Sequence, residues 1–188
     1  YLAVFDEHAP PGEPIDVQRE ACFAALSGEA GGDPEVGRSV ARAYARERDH
    51  SEVDPLPGAI EALDRLSADH RIGLVTNGPP GMQGTKLSAL GIADAFETIV
   101  HAGHDTAPKP SPEPFHRALD ALSVEPARAV HVGNSLSADV AGATAAGLRA
   151  AWLRETPGAD PGDHAPDYVL SSLAELVAPP WLRDGGVE

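Results

Sequence analysis

Lys109 stands between two prolines in TAPKPSPEPF, residues 106–115. Proline fixes its own φ and restricts the residue before it, so the backbone around this lysine is stiff and its side chain is aimed. A cation held in that way suits a phosphate or a similar anion. A second candidate is Thr76-Asn77-Gly78, which closes the apolar run RIGLVTNG. A hydroxyl and consecutive backbone N–H groups in such a turn can cradle an anion. Asn-Gly is equally a hairpin-turn signal, so the triplet alone reads either way. The third candidate is VHVGNSLSADVAGATAAGL, residues 130–148, with Asn134, Ser135 and Asp139 after an apolar run. Asn134 and Ser135 are good helix caps, and Asp139 suits the positive end of a helix. The same oxygens also suit a hard cation, although such a site favours a carboxylate where the chain has Asn134.

Parallel strands would bring these three stretches together at their carboxyl ends, where α/β proteins place their chemistry. Apolar runs bounded by turn residues occupy residues 71–78, 97–103, 128–134 and 149–153, with a weaker one at 167–170. Helical patterns separate them over residues 57–70, 81–91, 111–124 and 136–147. In the first of these, Ile60, Leu63 and Leu66 share a face after a Pro57-Gly58 start. In the third, Ser111 is placed to cap, with Pro112 and Glu113 in the first turn. Alternation of this kind predicts a parallel sheet with right-handed crossovers. Before residue 54 the pattern changes to two helices, over residues 15–28 and 35–50, joined by a Gly/Pro/acid-rich turn. Cys22 falls among apolar helix residues and reads as core. His131, in an apolar run, reads as a core histidine with its hydrogen bonds met. His101 and His104 beside Asp105 read as polar loop residues.

Composition narrows the function classes. The 188 residues suffice for one good-sized core with an appendage. Asp and Glu number 29 against 14 Lys plus Arg, a formal net charge of -15. That balance argues against nucleic acid or an anionic membrane as a partner. Only Lys86 and Lys109 are lysines, a scarcity that fits adaptation to high salt, where repulsion is screened within ~3 Å at 1 M. No apolar run approaches the ~20 residues that span a bilayer. No secretory leader is visible, and the single cysteine fits a reducing, cytoplasmic setting.

Strand–Thr-Asn-Gly, a proline-braced lysine, then strand–Gly-Asn-Ser–helix with Asp139: in this order the three stretches resemble the haloacid dehalogenase superfamily. The resemblance covers residues 55 to about 175 and includes PLPGAIEALDRL, similar to the helix that re-enters the core after the family's cap. It implies a Rossmann-like α/β/α core with a parallel sheet and a small α-helical cap. The expected division is a cap over residues 1–53, a core over 54–178 and a tail over 179–188, with Trp181 against the body. It also implies a Mg2+-dependent phosphatase acting on a small phosphorylated metabolite. Thr76, with the backbone N–H groups of Asn77 and Gly78, would bind the phosphoryl group. Lys109 would neutralise charge there, and Asn134 and Asp139 would serve the Mg2+ site.

Two departures stand beside the resemblance. Asn134 occupies the place of a metal-binding acid, and its neutral oxygen implies weaker binding of the cation. No Asp-x-Asp-Gly-Thr, the family's nucleophile motif, occurs in the sequence. Asp6 follows an apolar run, but His8 and two prolines replace the rest of that motif, so residues 1–8 are expected in a cap helix. The expected nucleophile then lies upstream of this chain, and the sheet lacks its middle strand. A non-catalytic relative that binds a phosphorylated ligand or a protein is the rival reading. A 2-haloacid dehalogenase ranks lower, since that branch typically carries Ser-Ser-Asn in the fourth motif.

Overall fold

The computed structural model describes residues 8, 10, 15–47 and 49–183. Apart from His8, the expected cap helix over residues 1–8 lies outside them. Helices α1 (Ile15–Glu29) and α2 (Pro34–Glu47) form an antiparallel pair. Gly37 lets them close, because a Cβ there would strike the Phe23 backbone. Cys22 and Ala41 are buried between them, as the apolar spacing predicts.

The α/β part begins with α3 (Ala59–Ser67), entered through Gly58 at φ 81. That left-handed conformation favours glycine, and a Cβ would also collide with Ala174. Ile60, expected on the packing face of α3, is exposed, whereas Ala62 and Leu66 meet the core. Ala62 and Leu66 stand one turn apart, and Ile60 lies roughly 160° around the helix from Ala62.

Then follow β1 (Gly73–Thr76), α4 (Pro80–Leu90), β2 (Thr98–His101), α5 (Glu113–Leu122), β3 (Val130–Gly133), a π turn (Leu136–Val140), α6 (Ala141–Ala145), β4 (Arg149–Leu153) and β5 (Tyr168–Leu170). Every strand falls inside a run that the sequence marks out. All pairings are parallel, with Thr76 opposite His101 and Gly133 opposite Trp152. Among the described residues the strands form two sheets, β1-β2 and β3-β4-β5.

Two apolar clusters flank the second sheet. One holds Ala62, Ala151, Leu153, Leu170, Leu176 and Trp181, the last against Tyr168. The other holds Phe115, Val140, Ala143, Ala146, Ala150 and Trp152. Residues 136–147, expected as one helix, divide into the π turn and α6. The Ser135 carbonyl accepts from both Asp139 and Val140, which widens the turn and swings Asp139 back over the strand end. No described helix is long and apolar enough to cross a membrane.

Candidate active site at the carboxyl ends of β1 and β3

Thr76 is the last residue of β1, and its side chain is fixed by its own loop. Its Oγ1 accepts from the Gly78 N–H at 3.1 Å and from Gln83 Nε2 at 2.9 Å. A Cβ on Gly78 would fall on the Gln83 amide, so only glycine admits this contact. The Gly78 carbonyl lies 3.3 Å from His101 Nδ1 on the neighbouring strand. The Asn77 side chain turns to Lys109 instead. Its Oδ1 accepts from the Lys109 N–H at 2.9 Å, and its Nδ2 donates to the Lys109 carbonyl at 3.1 Å.

The Lys109 side chain runs inward and is 9% exposed. Its Nζ donates to the Val75 carbonyl at 2.8 Å and to Asp139 Oδ1 at 2.6 Å. Lys109 is thus bonded to the residue on either side of Thr76. The proline bracing read from the sequence is joined by these hydrogen bonds. An ammonium carries three N–H groups, and two are spent on these acceptors, which leaves one for a ligand.

Asp139 accepts from the Ser135 N–H through Oδ2 at 3.0 Å and faces His131 Nε2 at 3.2 Å through Oδ1. Gly133 makes room for that carboxylate, since a Cβ there would overlap it. Burial by itself would raise the Asp139 pKa. The His131 hydrogen bond and the Lys109 charge outweigh it and hold the carboxyl well below the usual range. His131 also sets its ring edge-on to Phe115, with centroids 4.8 Å apart. Its hydrogen bond is met as expected, and the partner is the site carboxylate.

Asn134 is exposed, and its backbone carbonyl accepts from Trp152 Nε1 at 3.0 Å. Its side chain makes no hydrogen bond among the described residues. Ser135 caps the following turn by accepting from the Ala138 N–H. Mg2+ demands near-octahedral oxygen coordination. No group of three or more His, Cys, Asp or Glu among the described residues could hold a metal. Asn134 and Asp139 supply two side-chain groups, and Asp139 is already engaged, so these residues alone do not make up a Mg2+ site. His101, expected in a loop, instead closes β2 and turns its ring to Gly78, while Asp105 accepts from the His101 N–H and lies 3.2 Å from His104 Nδ1 in the loop beyond.

Two participants escape a reading of the sequence. Gln83 carries no charge and stands seven residues beyond Thr76 inside a helix, where nothing marks it. The only signal is Gly78, which a turn explains equally well. The contact of His131 with Asp139 depends on the wide π turn, and that turn has no local signature.

Comparison with known proteins gives the family. A family model described as haloacid dehalogenase-like hydrolase matches residues 5–147. The chain is 35% identical to a phosphoserine phosphatase of Thermus thermophilus over 84% of its own length and 63% of the relative's. It therefore spans less than two thirds of that relative. Among solved structures it resembles a haloacid dehalogenase-type phosphatase of Thermococcus onnurineus, with a TM-score of 0.64 and 26% identity over 88% of this chain and 87% of the other. It also resembles a 2-haloacid dehalogenase of Pseudomonas syringae, with a TM-score of 0.64 and 30% identity over 88% and 70%. The α/β layout with parallel strands, the carboxyl-end cluster and the family match together make the chain a member of the haloacid dehalogenase-like hydrolases.

Proposed function

We propose that the chain is the phosphoryl-binding part of a Mg2+-dependent phosphatase that acts on a small phosphorylated metabolite through an aspartyl-phosphate intermediate. The observation that carries this reading is the bonding of the buried Lys109 to both neighbours of Thr76. It puts an aimed cation and an aimed hydroxyl at one strand end. Preorganised charge and hydrogen-bond donors of this kind supply most of the catalysis in phosphoryl transfer. Lys109 offers its third N–H to the phosphoryl group, and Thr76 offers its hydroxyl. Asp139, ionised and buried, holds the Lys109 ammonium in place. The Gly78 N–H, expected in the cradle, donates to Thr76 Oγ1 instead, so the Asn77 N–H is the backbone donor of the cradle in this proposal, with the Asn77 side chain holding the Lys109 loop. The α1–α2 pair acts as a cap, and the protein works in the cytoplasm. Mg2+ dependence comes with the family resemblance, and Asn134 and Asp139 are what this chain contributes toward it.

The test is phosphate release by the natural full-length protein from a panel of small phosphate monoesters, phosphoserine included, with Mg2+ titrated. Turnover that needs Mg2+ and falls about 100-fold or more in Thr76→Val and Lys109→Met supports the reading. Binding of inorganic phosphate with no turnover of any ester makes the protein a non-catalytic relative. Halide release from a 2-haloacid without added metal makes it a dehalogenase.

A further inference from the structure

We infer that Gln83 is a positioning residue that fixes the Thr76 hydroxyl as a hydrogen-bond donor toward the bound phosphoryl group. The inference rests on the phosphatase reading of Thr76. A threonine hydroxyl has one proton to donate and two lone pairs. The Gly78 N–H occupies one lone pair at 3.1 Å and Gln83 Nε2 the other at 2.9 Å. None of the described residues accepts the Thr76 hydroxyl proton. That proton is left for a ligand, and an anionic phosphoryl oxygen is the acceptor it suits best.

The position of Gln83 is itself set by the fold. Its backbone N–H donates to the Pro79 carbonyl at 3.0 Å, at the entry to α4. From there the side chain crosses Gly78, where a Cβ would block it. A hydroxyl that is already oriented needs no reorganisation when the phosphoryl group arrives, so its full interaction goes to the ligand.

The experiment is calorimetric titration of the natural full-length protein with inorganic phosphate, in a cycle of Gln83→Leu, Thr76→Val and the double variant. Thr76→Val should weaken binding about 10-fold, since it removes a hydrogen bond to a charged group. Gln83→Leu should weaken it about 3- to 10-fold with Thr76 present and less than about twofold in the Thr76→Val background, because it acts only through the hydroxyl. An equal loss in both backgrounds overturns the inference. No loss in Thr76→Val overturns the phosphatase reading of Thr76, and the inference falls with it.

Gln83→Glu, nearly identical in shape, is the second variant. Its carboxylate can only accept at Thr76, so it draws the hydroxyl proton away from the ligand. Measured at 1 M NaCl, where charge repulsion is screened within ~3 Å, it should bind phosphate at least as weakly as Gln83→Leu. Wild-type binding by Gln83→Glu would mean that Thr76 donates to Gln83, which overturns the inference.

Discussion

Lys109 Nζ lies 2.6 Å from Asp139 Oδ1 and holds the Val75 carbonyl with the same nitrogen, so this ion pair ties the end of β1 to the turn after β3. The two strands belong to separate sheets among the described residues. The pair is therefore both the electrostatic centre of the site and a strut between its halves. Both side chains are under one tenth exposed, at 9% and 8%.

Asp139→Asn should destabilise the protein by about 3–5 kcal/mol, the usual effect of leaving one member of a buried ion pair without its partner. The folded-state pKa of Asp139 is depressed, first against burial, by the His131 hydrogen bond and the Lys109 charge. Its contribution is therefore fully present above the unfolded value of ~3.9 and is lost as pH falls toward the lower folded value. Urea melts of wild type and variant should show a constant gap above about pH 5 that narrows below about pH 4. A gap that widens on acidification would remove the ion pair as its source.

Asn77→Ala should separate stability from catalysis. The two bonds to the Lys109 backbone are solvent-exposed, so their loss should lower stability by only about 1 kcal/mol. The same loss frees the loop that aims the ammonium, and kcat should fall about 10-fold or more. Asn77→Asp keeps an acceptor for the Lys109 N–H but loses the donor to the carbonyl, and should fall between. Steady-state kinetics beside urea melts check the ordering. A normal kcat in Asn77→Ala would show that the proline bracing suffices without it.

The strands were legible because buried parallel strands read as short apolar runs closed by turn residues, and all five lie within such runs. Lys109 was legible because its prolines are local, whereas the bonds that hold its side chain inward come from Val75 and Asp139, far along the chain. The sequence assigns Asn77 to an anion cradle through its backbone N–H and says nothing of its side chain, which faces the Lys109 backbone. That contact joins residues 32 apart, and no pattern near either residue encodes it. The exposure of Ile60 has a similar origin. Spacing places it on one broad apolar face with Leu63 and Leu66, and only packing selects Ala62 and Leu66 for the core. The π turn was missed because two donors compete for one carbonyl there, and helix spacing alone predicts a regular turn.

Gly142→Ala should destabilise by about 1–3 kcal/mol through overpacking. A Cβ at this position would stand 2.6 Å from the ring of Phe115 and 3.2 Å from the Pro110 Cα. Phe115 is 1% exposed and cannot swing aside. The added helix propensity of alanine, worth up to about 1 kcal/mol in a helix interior, offsets only part of this. Thermal melts check the sign. A stabilised variant would show that α6 can shift on the Phe115 ring.

Asn134→Asp tests the place of the cation directly. Asn134 is exposed, its backbone carbonyl alone contacts Trp152, and its side chain has no partner among the described residues. The substitution should therefore leave stability within about 0.5 kcal/mol. It adds a full negative charge to a neutral oxygen donor, and an ion pair at about 4 Å is worth roughly 1 kcal/mol even in bulk water and more near a protein surface. Mg2+ affinity, read by calorimetry on the natural full-length protein, should rise about 10-fold, and Asn134→Ala should lower it. Ionic strength separates this from a general charge effect, because the gain at a coordinating oxygen persists in salt whereas diffuse attraction is screened. Unchanged Mg2+ affinity in both variants would place the cation away from residue 134 and remove Asn134 from the proposed ligand set.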